Sequence, residues 1–462
     1  MSPSEKEVHV LMVSAAFQGH LNPTFNFAKR LASMGVHVTL TLTEEARHNF
    51  NVSTKANENS HNGNIQLEFF SDGLNLNFDR NKDTATFLAS IETTGAKNLS
   101  NLISHLSKDR NYSCMIITPY VPWAAEIAAT HGIPCAMLWF QACALYSIYC
   151  RYVCKTNHFP NVENPNETLE LPALPPLEVR ELPSFLLPSC PPYYKKLVWD
   201  FHRVLDKIKW FLGSSVYEFE EEIVKSMASL FPILTIGPLV SPFLLGEKEG
   251  EGDGLSANLL KPEYSCLEWL DNKPPNSVIY VAFGSLTELS QKQIGNIATA
   301  LKNTNRAFLL VIRKKDAEFP RGFLEETKGR GLVVTWCPQE KVLMHPAVAC
   351  FVSHCGWNST LEAVTAGVPV IAHPGWSDQP VNARLVQDVF KTGVKMRFGE
   401  DGIVSTEEVQ KCIKEVMEGP KAEEFKKRAM ELKVAARKAL QNGGSSERNI
   451  NQFLTEIARN ST

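Results

Sequence analysis

Short, nearly continuous apolar runs alternate along this chain with longer stretches whose apolar positions recur every three or four residues. A run apolar at successive positions has no solvent-facing side, which predicts a strand buried on both faces of a parallel sheet. His9–Ala16 (HVLMVSAA) is the first such run. After Gln18-Gly19-His20, with His20 expected in a loop, the pattern predicts an amphipathic helix from about Thr24 to Met34. Gly35 ends it, and a strand follows over Val36–Leu42. Cys114–Ile117 and Pro134–Leu138 read as strands flanking a helix at Trp123–His131, and helical patterns are expected around Tyr193–Leu212 after the Pro-rich segment Leu171–Pro192. A second series has strands at Ser277–Gly284, Ala307–Ile312, Leu332–Trp336, Cys350–His354 and Pro369–His373. A helix over Ser290–Asn303, with Ser290 as its N-cap, follows the first of these strands. Further helices are predicted at about Gln379–Phe390, Thr406–Met417, Pro420–Gln441 and Ser446–Ala458.

Between the two series, Pro238–Pro262 shifts to Gly, Pro and charge, the composition of a linker. The reading is therefore α/β, with two doubly wound domains facing each other across a cleft: residues 1–238, a linker over 239–262, and residues 263–441. A length of 462 residues suits two cores better than one. With 47 basic and 50 acidic side chains, no field recruits nucleic acid or an anionic membrane. A small-molecule partner and a monomer are expected. No apolar run approaches the ~20 residues of a membrane span. Eleven cysteines without a CxxC pair, most of them in apolar runs, read as reduced buried thiols. With a charged N-terminus that leads straight into a strand, they point to the cytoplasm.

The densest chemistry lies between Trp336 and Gln379. The strand Cys350–His354 meets a helix expected over Thr360–Ala366 through the turn Cys355-Gly356-Trp357-Asn358-Ser359. Such a turn aims free backbone N–H groups and the positive end of the helix dipole outward, which makes an anion site suited to phosphate. Trp336 offers a flat face for a base, and Gln339, Glu362, Asp378 and Gln379 offer partners for hydroxyls. His354 stands at the strand tip, and Ser285 could add a hydroxyl from a second loop. Each has a plainer reading: Trp336 as core, Glu362 as a helix-surface charge, Asn358 as a helix cap, Ser285 as a turn serine. Their fixed register favours a nucleotide-sugar pocket. His20 lies just past a strand's C-terminal end, where open α/β sheets bind ligands, and could take a proton from an attacking hydroxyl. No Asp-x-Asp pair is present to hold a metal on a diphosphate, and no G-x-G-x-x-G occurs.

These motifs resemble the plant family-1 UDP-glycosyltransferases. The 44 residues from Trp336 to Gln379 match that family's signature box, His354–Ala363 (HCGWNSTLEA) its most specific segment, and the similarity runs from Gln18–Pro23 (QGHLNP) to Gly443–Ile450 (GGSSERNI). The resemblance implies a GT-B fold, with an N-terminal acceptor domain, a C-terminal donor domain and a last helix, about 442–462, packed back on the first. It implies UDP-glucose as donor co-substrate, inverting transfer, and no metal or other cofactor. Trp336 would stack uracil, and Gln339 and Glu362 would hold ribose. Ser285, His354, Asn358 and Ser359 would hold phosphates. Trp357 would border the sugar, and Asp378 and Gln379 would bind its hydroxyls. His20 matches the catalytic base. The family's usual Asp partner of that base aligns with Thr118, as in subgroups that glucosylate carboxylic acids; Glu126 is a candidate substitute, but its favoured reading is a side chain facing the domain interior or solvent. A carboxylate of pKa ~4 is already ionised and needs little help from a base. A phenolic carboxylic acid, giving a 1-O-glucose ester, is therefore the favoured acceptor. A flavonoid-like phenol, C-glucosylation of a polyphenol, and UDP-sugar binding without transfer are the alternatives. Phe17, Thr118, Tyr120, Gln141 and Phe185 are the expected acceptor-binding residues.

Overall fold

The computed structural model describes residues 7–15, 18–49, 64–164, 167–247, 264–284, 287, 289–313 and 317–459. Phe17, Ser285 and most of the expected linker (248–262) lie outside the described residues. The strands are β1 (His9–Val13), β2 (His37–Thr43), β3 (Ile65–Phe70), β4 (Cys114–Ile117), β5 (Cys135–Trp139), β6 (Thr168–Leu169), β7 (Leu177–Glu178), β8 (Ile208–Gly213), β9 (Ile233–Thr235), β10 (Val278–Ala282), β11 (Ala307–Val311), β12 (Gly331–Val334), β13 (Val348–Ser353), β14 (Val370–Ala372) and β15 (Gly393–Lys395). They form two parallel sheets, ordered β3-β2-β1-β4-β5-β8-β9 and β12-β11-β10-β13-β14-β15, plus a small antiparallel pair, β6 and β7.

Burial on both faces explains the composition: every residue of β4, β5, β10 and β13 is buried. In both sheets the strand order reverses beside the first strand of the series, between β1 and β4 and between β10 and β13. Connections leave in opposite directions at such a point and open a crevice at the strands' C-terminal ends. His20 and Thr118 follow β1 and β4, and Gly284 and His354 follow β10 and β13. Both halves of the expected site therefore sit at topological switch points.

The region Tyr193–Leu212 departs from its helical expectation. A helix covers Pro192–Val204, but Ile208–Gly213 (IKWFLG) is the strand β8. A short apolar run buried in a sheet has the same hydrophobic signature as a buried helical turn. The last helix, Ser445–Arg459, inserts Ile450, Phe453 and Ile457 into the core of the first sheet beside Val10, Leu40 and Ile236. Trp210 of β8 meets Phe453 edge-on at 5.5 Å and donates its Nε1–H to Glu456 at 2.6 Å. All eleven cysteines are free, and all but Cys154 are buried. No helix among the described residues is long and apolar enough to cross a membrane.

Candidate active site between the two sheets

The helix that carries His20 begins at Gln18, not near Thr24, so His20 stands in a first helical turn and not in a loop. Pro23 lies inside this helix. Proline has no N–H to return to the carbonyl four residues back, which leaves the Gly19 carbonyl without its helical donor. That carbonyl instead accepts a hydrogen bond of 2.8 Å from Asn358 Nδ2, across the cleft. Asn358 is therefore not a helix cap. The helix at the signature turn runs from Trp357 to Ala366, starting earlier than expected, and its N-cap is Gly356, which has no side chain to offer. The first N–H groups of a helix have no intrahelical acceptor, so this end presents an anion site.

His354 packs between two glycines. A Cβ on Gly284 would stand 2.5 Å from its Nε2, and one on Gly356 2.6 Å. Only residues without a side chain admit the ring this close to both turns. Burial, reinforced by His373, pulls the His354 pKa down to about 4. At neutral pH the ring is thus uncharged, and what it offers an anion is a hydrogen bond and not a full positive charge.

Gln339, Ser359 and Glu362 converge. Gln339 Nε2 donates to Ser359 Oγ at 2.8 Å and to Glu362 Oε2 at 2.6 Å, while its Oε1 accepts from Tyr280 OH at 3.0 Å. Glu362 is half-buried, not a surface charge. Burial, then repulsion from Glu340, raises its pKa, against the Gln339 hydrogen bond. Trp336 lies two residues beyond the end of β12 rather than in it, half-buried, with the Arg313 guanidinium 5.7 Å from its ring centre. Trp357 is buried and donates its indole N–H to Ser214 of the first lobe at 3.0 Å. Asp378 is buried, which raises its pKa to about 6 against hydrogen bonds from Asn382 and the Trp357 backbone. Gln379 Oε1 is taken by the N–H groups of Gly375 and Trp376 at 2.8 and 3.3 Å, so its amide nitrogen is the end left for a ligand.

Facing this group, the His20 ring lies 4.3 Å from Tyr120 and 4.5 Å from Phe140. Burial draws its pKa down to about 3. Thr118 is buried two residues before Tyr120, and its hydroxyl has no partner among the described residues. Glu126 is exposed and pairs with Arg203 at 3.3 Å, so it does not replace the missing carboxylate. Phe185 stacks on Tyr194 at 4.9 Å and meets Trp376 at 5.7 Å. Gln141 is half-buried just past β5. Tyr194 and Trp376 were not singled out from the sequence, although Trp376 lies inside the signature box.

Compared with known proteins, residues 253–437 match the family model described as UDP-glucoronosyl and UDP-glucosyl transferase. The chain is 48% identical to UDP-glycosyltransferase 84B1 of Arabidopsis thaliana, over 99% of both chains. The chain belongs to the UDP-glycosyltransferases. It is 39% identical to gallate 1-beta-glucosyltransferase 84A24 of Punica granatum, over 99% of this chain and 90% of that one. The solved structure of Os79 from O. sativa in complex with UDP superposes with a TM-score of 0.84 at 29% identity, covering 97% of this chain and all of that one. The two facing parallel sheets of this UDP-glycosyltransferase are a GT-B fold.

In the second lobe of this UDP-glycosyltransferase, His373 is buried between Phe283 and Phe398 with both ring nitrogens unpartnered among the described residues. Burial lowers its pKa from 6.5 to about 4. The unfolded chain binds a proton below about pH 6.5 that the folded protein refuses. The stability that the neutral ring contributes is therefore complete above that pH and lost as pH falls toward about 4. In chemical denaturation, His373→Phe is expected to flatten this acid limb by roughly 2–3 kcal/mol between pH 7 and pH 4. An unchanged limb would show that the ring has another proton acceptor.

Proposed function

We propose that this enzyme transfers glucose from UDP-glucose to a phenolic carboxylic acid, with inversion, forming a 1-O-β-glucose ester. The observation that carries this reading is the setting of His20: an imidazole held near pKa 3 by burial, with neutral Thr118 where a carboxylate partner would stand. Deprotonating a phenol of pKa ~10 with such a base is several units uphill, each worth about 1.4 kcal/mol. A carboxylic acid arrives ionised and avoids that step. The 39% identity to an enzyme named for gallate supports the same acceptor class.

In this reading Trp336 stacks the base, and Gln339 and Glu362 bind the ribose. The first-turn amides of Asn358 and Ser359, with the side chains of Asn358, Ser359, His354 and Ser285, hold the diphosphate. Asp378 and Gln379 fix the glucose hydroxyls beside Trp357. Phe17, Thr118, Tyr120, Gln141 and Phe185 line the acceptor's side. The acceptor carboxylate attacks the anomeric carbon from the face opposite the diphosphate. The new C–O bond forms as the bond to phosphate breaks, and UDP leaves with the electron pair. Charge developing on the diphosphate meets preorganised N–H dipoles, which cost no reorganisation at the moment of reaction. With a phenol as acceptor, His20 would receive the proton. No resident metal or other cofactor is assigned a role. The buried free thiols support a reducing, cytoplasmic setting.

The test is incubation with UDP-glucose and a panel of benzoic and cinnamic acids, flavonoids and polyphenols, with and without EDTA, read by mass spectrometry. The expected main product is a glucoside cleaved by mild alkali, formed equally in EDTA. A product that survives alkali would assign a phenolic ether, and one that also survives acid a C-glucoside. Either would overturn the ester reading.

A further inference from the structure

One strongly held contact across the cleft involves none of the residues assigned above to donor or catalysis. Glu181 of the first lobe is only 4% exposed. Its Oε2 accepts from Arg384 Nη1 at 2.6 Å, and its Oε1 pairs with Lys395 Nζ; both cations belong to the second lobe. Arg384 ends the helix that opens with Gln379, and Lys395 closes β15. Asp388 accepts from Arg384 Nε at 2.6 Å, so the cluster holds two positive and two negative charges. A carboxylate this deep needs such compensation, and removing it takes the charge partner from Lys395 and leaves Arg384 with Asp388.

The segment that carries Glu181 has little regular structure of its own. Val179–Glu181 and Ser184–Leu186 are single 3-10 turns joined by Leu182-Pro183. Its second anchor is also on the donor lobe: the Ser184 N–H donates to the Ser377 carbonyl at 2.9 Å, and the Ser377 N–H donates to Ser184 Oγ at 2.9 Å. Between and beside these anchors stands Phe185, against Trp376. Ser377 directly precedes Asp378 and Gln379, so one stretch of the second lobe carries the sugar-facing residues and also fixes a wall of the acceptor side.

We propose that Glu181 is a positioning residue: its ion pairs with Arg384 and Lys395 hold the 179–187 segment against the donor lobe, and acceptor affinity depends on that hold. Phe185 keeps its place through contacts to the opposite lobe as well as through packing within its own. The proposal rests on the acceptor-wall assignment of Phe185 made above, and the two can be separated.

The experiment measures acceptor KM, kcat and calorimetric UDP affinity for Glu181→Gln, Lys395→Gln and Phe185→Ala in the full chain, with the best acceptor from the panel. Glu181→Gln and Lys395→Gln are each expected to raise acceptor KM about tenfold while UDP affinity stays within about twofold, a split that general destabilisation would not produce. Combining Glu181→Gln with Phe185→Ala is expected to add little to the effect of Phe185→Ala, because both act on one wall. Should Glu181→Gln fail to fold, Lys395→Gln, on the partly exposed side of the pair, decides the matter. An unchanged acceptor KM in folded, UDP-binding Glu181→Gln or Lys395→Gln would overturn the coupling, as would a parallel loss of UDP affinity. An unchanged KM in Phe185→Ala would overturn the acceptor-wall assignment and the coupling with it.

Discussion

Replacing Glu362 with alanine is expected to weaken UDP binding about a hundredfold while leaving the fold intact. The carboxylate is half-buried, aligned by Gln339 and held at a raised pKa by burial and by Glu340. Such a position costs solvation, a cost that the proposed ribose contacts would offset. Two ribose hydroxyls donating to one carboxylate make charge-assisted bonds worth about 1.5–3 kcal/mol each, and about 3 kcal/mol together is a factor on the order of 100 in affinity. Two further results follow. Ribose hydroxyls favour the ionised form, so UDP affinity in the unmodified enzyme rises as pH rises through the raised pKa. A group whose folded pKa is raised costs stability above its unfolded pKa, so Glu362→Gln, which cannot ionise, is expected to melt no lower than the parent at neutral pH. Calorimetry with UDP and thermal unfolding check these together. Undiminished UDP binding in Glu362→Ala would remove Glu362 from the ribose site.

The convergence of the side chains around the signature turn was legible in the sequence because their spacing is local. Strand, turn and helix from Val348 to Ala366 carry His354, Asn358, Ser359 and Glu362 within nine residues of chain, and Gln339, which meets Ser359, lies only twenty residues before it in sequence. Strands buried on both faces announced themselves as apolar runs, with ends misplaced by at most three residues. The helix of His20 was less legible, since Pro23 reads locally as a breaker. Its cost is met by a tertiary contact, Asn358 to Gly19, which no local pattern encodes. In β8, Trp210, Phe211 and Leu212 are buried within a strand whose apolar signature a helical turn shares. Glu181, Tyr194 and Trp376 meet their partners across long chain separations, and neither charge spacing nor hydrophobic period reports such meetings.

The second large effect concerns His20 itself. Its ring lies between Tyr120 and Phe140, burial holds it neutral down to about pH 3, and Thr118 contributes no charge to stabilise an imidazolium. For an acceptor that must lose a proton, the ring is still the base at hand, and general-base catalysis contributes about 10²–10⁴-fold. For an acceptor that arrives ionised, the same ring only shapes the pocket. Removing it should therefore divide acceptors by their acidity and not by their size.

That division is measured most directly by kcat/KM of the parent and His20→Ala on a benzoic acid and a phenol of the same ring size, at neutral pH with saturating UDP-glucose. The account predicts a loss of at least about a hundredfold on the phenol and less than about tenfold on the acid. Equal losses on the two would contradict it, because the imidazole would then be serving both acceptors in the same way.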